Sequence, residues 1–244
     1  MSRLEERLER AKQLRSEFHA DLREQMEQCQ PLFPKRTRES DSQSSEQYLL
    51  DAKEIYRDIQ EQLGNIISSL DENHSEMELH QFQRNFDIML QTALLQIAVG
   101  DDDFSHSERQ FIREIAENGD VVEWINAHYP NKREALSWGK LFYLEEDELD
   151  DLICYLSHNS LELMKNVFYP TALADLETEI PYQELIMDEI TDICNCFTYV
   201  DGDGCDADEK NAMRQAIDLY FRKPISVAHE ELTRVLEKEH PRKA

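Results

Sequence analysis

Between residues 45 and 70, apolar side chains recur at Leu49, Ala52, Ile55, Tyr56, Ile59, Leu63, Ile66 and Leu70. That three-to-four-residue spacing lines one face of a helix, and Ser45 is placed to cap it. Gly64 is its weak point, costing about 1 kcal/mol relative to Ala. The polar break Asp71-Glu72-Asn73-His74 follows. A second helix is predicted over 76–99, where Leu79, Phe82, Phe86, Met89, Leu90, Ala93, Leu94 and Ile97 make a face wide enough for the centre of a bundle. Beyond it, Phe111, Ile112 and Ile115 continue the core until Asn118-Gly119. Helices are then expected over 121–128, 131–143, 146–157 and 160–168, the last broken by Pro170. Pro181 suits the first turn of a helix over 181–199, Pro224 is expected to end one over 206–221, and 226–239 closes the chain. No stretch alternates with the period of a strand. The expected fold is all-α, a compact helical bundle.

The first 45 residues have a different character. Leu4, Leu8, Ala11, Phe18, Leu22 and Cys29 fall on a heptad seam within a charged helix over 2–29, with Arg15 and Gln25 interrupting it. Such a helix can dock on the body, meet a partner helix or self-associate. Pro31 and Pro34 stop it, and Lys35 to Ser45 is a polar, Ser-rich linker. The organisation read from the chain is an N-terminal helix (1–30), a linker (31–45) and a helical domain (46–244).

One pattern occurs twice within that domain. Gly100-Asp101-Asp102-Asp103-Phe104-Ser105-His106-Ser107-Glu108 aligns without a gap on Asp201-Gly202-Asp203-Gly204-Cys205-Asp206-Ala207-Asp208-Glu209. Val99 then meets Val200, Met89 meets Ile190, Ala93 meets Cys194, and Ile112 meets Met213. Each copy reads as apolar helix, acidic turn, capped helix. Ser105 and Glu108 have capping-box spacing, and Asp206 is an ordinary N-cap. Acidic side chains at a helix start gain about 0.3–1 kcal/mol each from the helix dipole. Capping explains Ser105, Glu108, Asp206 and Glu209. It leaves Asp101, Asp102, Asp103, Asp201 and Asp203 unexplained, since these precede the caps. Crowded carboxylates suit a hard cation such as Ca2+ or Mg2+, so the candidate metal ligands are Asp101, Asp102, Asp103, Glu108, Asp201, Asp203 and Glu209. Neither turn is an EF-hand: counted from Asp201, Asp206 stands where Gly is needed and Ala212 where the bidentate Glu belongs.

The paired turns resemble the TerB-like domain of the tellurite-resistance group. Asp101, Phe104 and Glu108 match its motif in the first copy, and Asp201, Gly202 and Glu209 in the second, with Asp102 standing where Gly is usual. The resemblance spans about residues 76–240. It implies a compact helical domain with two pseudo-symmetric motifs whose acidic turns lie close together and are candidates for metal. It also implies a bacterial or phage-borne cytosolic protein of stress response or phage defence, working as a binding or scaffold module.

Charge sharpens this expectation. The net charge is −26, yet residues 1–40 hold 9 Lys/Arg against 8 Asp/Glu, leaving −27 for residues 41–244. Such a body repels phosphate backbones and anionic membranes and favours cations or basic partners. A protein partner is therefore expected, met through residues 1–45 or the acidic surface, with a homo-oligomer as a further option. The five cysteines include no CxxC pair and read as reduced thiols, and no apolar run approaches the roughly 18 residues that span a bilayer, so a cytoplasmic protein is expected. Phosphate-binding loops, nucleophile elbows and zinc-protease motifs do not occur. The leading expectation is a non-enzymatic interaction module with a divalent cation between its turns. The alternatives are an acidic mimic of nucleic acid that blocks a basic groove and, last, a metal-dependent hydrolase with His106 as its activating group.

Overall fold

The computed structural model describes residues 44–70, 76–99, 104–129, 135–141, 143–144, 146–159, 161–178, 180–201 and 207–239. The expected N-terminal helix and most of its linker lie outside them. The helices are α1 (Ser45–Leu70), α2 (Glu76–Ala98), α3 (His106–Ile115), α4 (Val121–His128), α5 (Trp138–Leu141), α6 (Glu146–Asn159), α7 (Leu161–Thr178), α8 (Tyr182–Phe197), α9 (Ala207–Ile217) and α10 (Lys223–Glu239). Among the described residues no strand is present, and the fold is an all-α bundle.

The widest apolar face takes the central place. Every residue from Asn85 to Leu95 is buried, and α2 packs against α1, α3, α4, α6, α7, α8 and α9. α1 lies along α8 and α7, and α10 lies along α7. The stripe read for α1 is the one it buries, with Ala52, Tyr56, Ile59, Leu63 and Ile66 almost wholly out of water. Burial of such side chains is worth about 1.5–3 kcal/mol each against full exposure.

Three expected boundaries are corrected. α7 runs straight through Pro170. The proline has no N–H for the Asn166 carbonyl, and Asn166 lies on the exposed side of the helix. Pro224 does not end a helix either: it is the second residue of α10, in a run that stays helical from the preceding turn. A π-helical turn, Asp218–Arg222, joins α9 to α10 instead. Within 131–143 the described helix is only the single turn of α5, and residues 135–137 before it are not helical. There Asn126 clamps the chain, its side chain donating to the Leu136 carbonyl at 2.7 Å and accepting from the Leu136 N–H at 2.8 Å.

A polar cluster inside this apolar surround ties α1, α2 and the α3–α4 connection together. Asp87 of α2 is fully buried. Its carboxylate accepts from the Tyr56 hydroxyl at 2.9 Å, Gln60 Nε2 at 3.1 Å, and the backbone N–H groups of Asn118 at 2.7 Å and Gly119 at 2.9 Å. The Tyr56 hydroxyl in turn accepts from the Glu117 N–H and Asn118 Nδ2, each at 3.1 Å. Gly119 is required by proximity: a Cβ there would lie 2.6 Å from the Arg84 carbonyl oxygen. Burial pushes the Asp87 carboxyl up to about 6, against the downward pull of those hydrogen bonds.

Asp87→Ala strips the acceptor from two half-buried backbone donors and from the buried Tyr56 hydroxyl, and is expected to cost about 2–4 kcal/mol. Urea denaturation checks this; a loss under about 0.5 kcal/mol would mean the connection holds without its carboxylate. Tyr220, in the π-turn, has the opposite outlook. Its ring is wholly buried, and its hydroxyl meets no hydrogen-bond partner among the described residues. Tyr220→Phe should therefore stabilise the protein by about 1 kcal/mol, read as a rise in Tm. A fall would reveal a partner for the hydroxyl.

Candidate functional site

The first acidic turn leads into α3 through a complete capping box. The Ser105 side chain accepts from the Glu108 N–H at 3.2 Å, and Glu108 Oε2 accepts from the Ser105 N–H at 2.7 Å. Glu108 is buried, so this bond is a large part of what makes its charge tolerable there. The corresponding Glu209 in the first turn of α9 is buried as well. Asp201 is half-buried, with Oδ1 withdrawn from solvent. Asp101, Asp102, Asp103 and Asp203 lie outside the described residues. Among the described residues no three His, Cys, Asp or Glu side chains converge as metal ligands would. His106 is exposed.

The segments flanking the two turns meet. Phe111 of α3, after the first turn, packs edge-to-face on Phe197 of α8, before the second, with ring centroids 5.3 Å apart. Both flanks also reach the first turns of α1. Ser107 Oγ donates to Ser45 Oγ at 3.3 Å. Tyr199 stacks on Tyr48 with centroids 6.1 Å apart. Ser45 and Tyr48 are one turn apart on α1, so residues that follow one acidic turn and precede the other share a single end of the bundle. Arg109 lies at that end, its guanidinium 5.1 Å from the Phe104 ring centroid and 5.8 Å from that of Tyr143. The positive end of the α1 dipole is there too, which favours nearby negative charge.

Sequence reasoning missed an acidic seam between α1 and α8. Glu189 accepts from Gln62 Nε2 at 2.6 Å. Burial first, then the charges of Asp58, Asp192 and Asp188, push its carboxyl up to about 7, with the Gln62 bond opposing. Asp192 is raised as well, by burial and by Asp188. The signal was readable: Asp188 and Asp192 are four residues apart and so share one face of α8. Cys194, on the opposite side of the titration scale, is a structural thiol. Full burial and the neighbouring Cys196 push it up to about 12, far from the thiolate that nucleophilic chemistry needs. Cys154 is exposed, and Cys29 and Cys205 lie outside the described residues.

Comparison of the chain with protein-family models, curated proteins and solved structures finds no match. Among the described residues no helix is long and apolar enough to cross a membrane.

A carboxyl that holds its proton more tightly when folded contributes stability below its unfolded value, and loses that contribution as pH rises through its folded value. For Glu189 the window runs from about 4.5 to about 7. Glu189→Gln should therefore raise Tm at pH 7.5, where the wild-type group is forced to ionise. The gain should shrink toward pH 5. A gain equal at both values would assign the effect to packing rather than charge.

Proposed function

We propose that the chain is a non-enzymatic interaction module that holds a divalent cation between its two acidic turns and presents an acidic body to a basic protein partner. The observation that carries the cation reading is the meeting of both turn flanks on the first turns of α1. With flanks so placed, carboxylates from the two turns can serve one ion. The donor set fits a hard cation, since it is all oxygen. Asp101, Asp102, Asp103, Asp201 and Asp203 would supply the ligands, together with Glu108. An ion there would offset the mutual repulsion of these carboxylates. Glu209 would play the part of Glu108 in the second copy.

The same reading fits the rest of the chemistry. The thiol of Cys194 and the carboxyl of Asp87 are committed to the interior, one by burial and the other by four donors. The seam of Asp58, Asp188, Glu189 and Asp192 adds negative potential along α1 and α8, which steers a cationic surface toward the body. In this proposal residues 1–45 tether the module. The resemblance to the TerB-like domain supports a cytoplasmic role in bacterial or phage stress response or defence.

Calorimetric titration with Ca2+ and with Mg2+ is the direct test. Saturable uptake at millimolar concentration or below is expected, weakened at least ten-fold in both Asp101→Ala and Asp201→Ala. Loss in one variant alone would assign the ion to a single turn, and no uptake by the wild type would end the cation reading.

A further inference from the structure

Two buried oxygens on the α1–α8 seam are left without a hydrogen-bond partner, and they belong to side chains that already touch. Gln62 Nε2 donates to Glu189 Oε1 at 2.6 Å. The second oxygen of each group, Gln62 Oε1 and Glu189 Oε2, is closed to solvent and meets no donor among the described residues. With the carboxyl ionised both are acceptors, so neither can serve the other, and an acceptor buried bare is costly. A single proton on Glu189 Oε2 resolves both. A carboxylic acid and a primary amide are matching forks: the amide N–H donates to one carboxyl oxygen, and the carboxyl O–H donates to the amide oxygen. The first of these bonds is the one already made. The charged surroundings favour the proton too. Asp58 of α1 and Asp192 and Asp188 of α8 act on Glu189, all with its own sign. Arg57 and Glu61 of α1 are exposed. On the other helices packed against α8, Asp87 of α2 is taken up by its four donors, and Asp175 of α7 accepts from the Gln183 N–H at 3.3 Å. Lys165 and Glu177 of α7 are exposed.

We propose that Glu189 and Gln62 close a two-bond acid–amide pair through a proton on Glu189 Oε2, and that this pair is a pH-sensitive latch between α1 and α8. The proton comes from solvent and returns to it. When it leaves, the O–H···O bond goes with it, and a carboxylate is left beside Asp58, Asp188 and Asp192. Burial and the Asp58 charge push the carboxyl up to about 7, so the latch is closed in mild acid and is lost as pH rises through that value. This inference does not depend on a bound cation.

Amide hydrogen exchange of the full chain tests it, with rates expressed as protection so that the intrinsic pH dependence cancels. Between pH 6 and pH 8, wild-type amides around Gln62 and Glu189 should lose at least five-fold in protection. Those of α10, which packs on α7 away from the seam, should change less. Glu189→Gln can make the same two bonds as an amide–amide pair at any pH, so it should show less than half the wild-type loss. Glu189→Met is neutral at every pH but bonds nothing. At pH 6 its seam amides should be at least five-fold less protected than those of Glu189→Gln. Equal protection in the two variants overturns the proposal, since loss of charge alone would then account for the seam. A loss in Glu189→Gln as large as the wild type's overturns it by assigning the titration to another group. A loss in α10 equal to that at the seam also overturns it, because general stability and no latch would be changing.

Discussion

A carboxylate taken out of water must recover its hydrogen bonds from the protein, and Asp87 recovers four from two separate segments. Tyr56 and Gln60 come from α1, while the Asn118 and Gly119 N–H groups come from the α3–α4 connection. None of these contacts forms unless α1, α2 and that connection are already in register. The cost of leaving the charge bare, several kcal/mol, disfavours every packing in which they are not. This is how a core that is otherwise apolar and permissive acquires one arrangement. It also fixes where α3 starts, because α3 is held between the cluster at its end and the capping box at its beginning.

That anchoring brings the described residues on either side of the acidic stretches to one end of the bundle. α3 and α8 are locked by the Phe111–Phe197 pair, and α1 lies across both flanks through Ser45 and Tyr48. The acidic seam with Glu189 runs between α1 and α8. There Asp188, Glu189 and Asp192 of α8 face Asp58 of α1, and Gln62 donates to Glu189.

The helical bundle was legible because its stripes are long and regular; α1 and the central α2 could be assigned from spacing alone. The capping box was legible for a local reason, since three residues separate its partners. Two of the three corrected boundaries involve prolines. Pro170 and Pro224 read as breaks, yet the chain stays helical through both, and a proline in a sequence does not show whether packing holds the helix across it. Asp87 carries no signal in the spacing of the apolar face. Its meaning depends on Tyr56 and Gly119, each about thirty residues away, and no periodicity links them. The acidic stretches themselves are plain in the sequence, but the meeting of their flanking helices rests on Phe111 and Phe197, eighty-six positions apart.

The π-turn at Asp218–Arg222 has a consequence for how this chain can vary. A π-turn carries one more residue than the α-helical turn it replaces, and each residue of an α-helix rotates the next by about 100°. The extra residue thus works as a phase shifter between α9, which is aligned to α2, and α10, which is aligned to α7. Deleting one residue there would give a smoother helix and a misaimed one, with Ala228 and Leu232 swung away from the surface they now cover. Length, more than composition, is what this segment is obliged to keep.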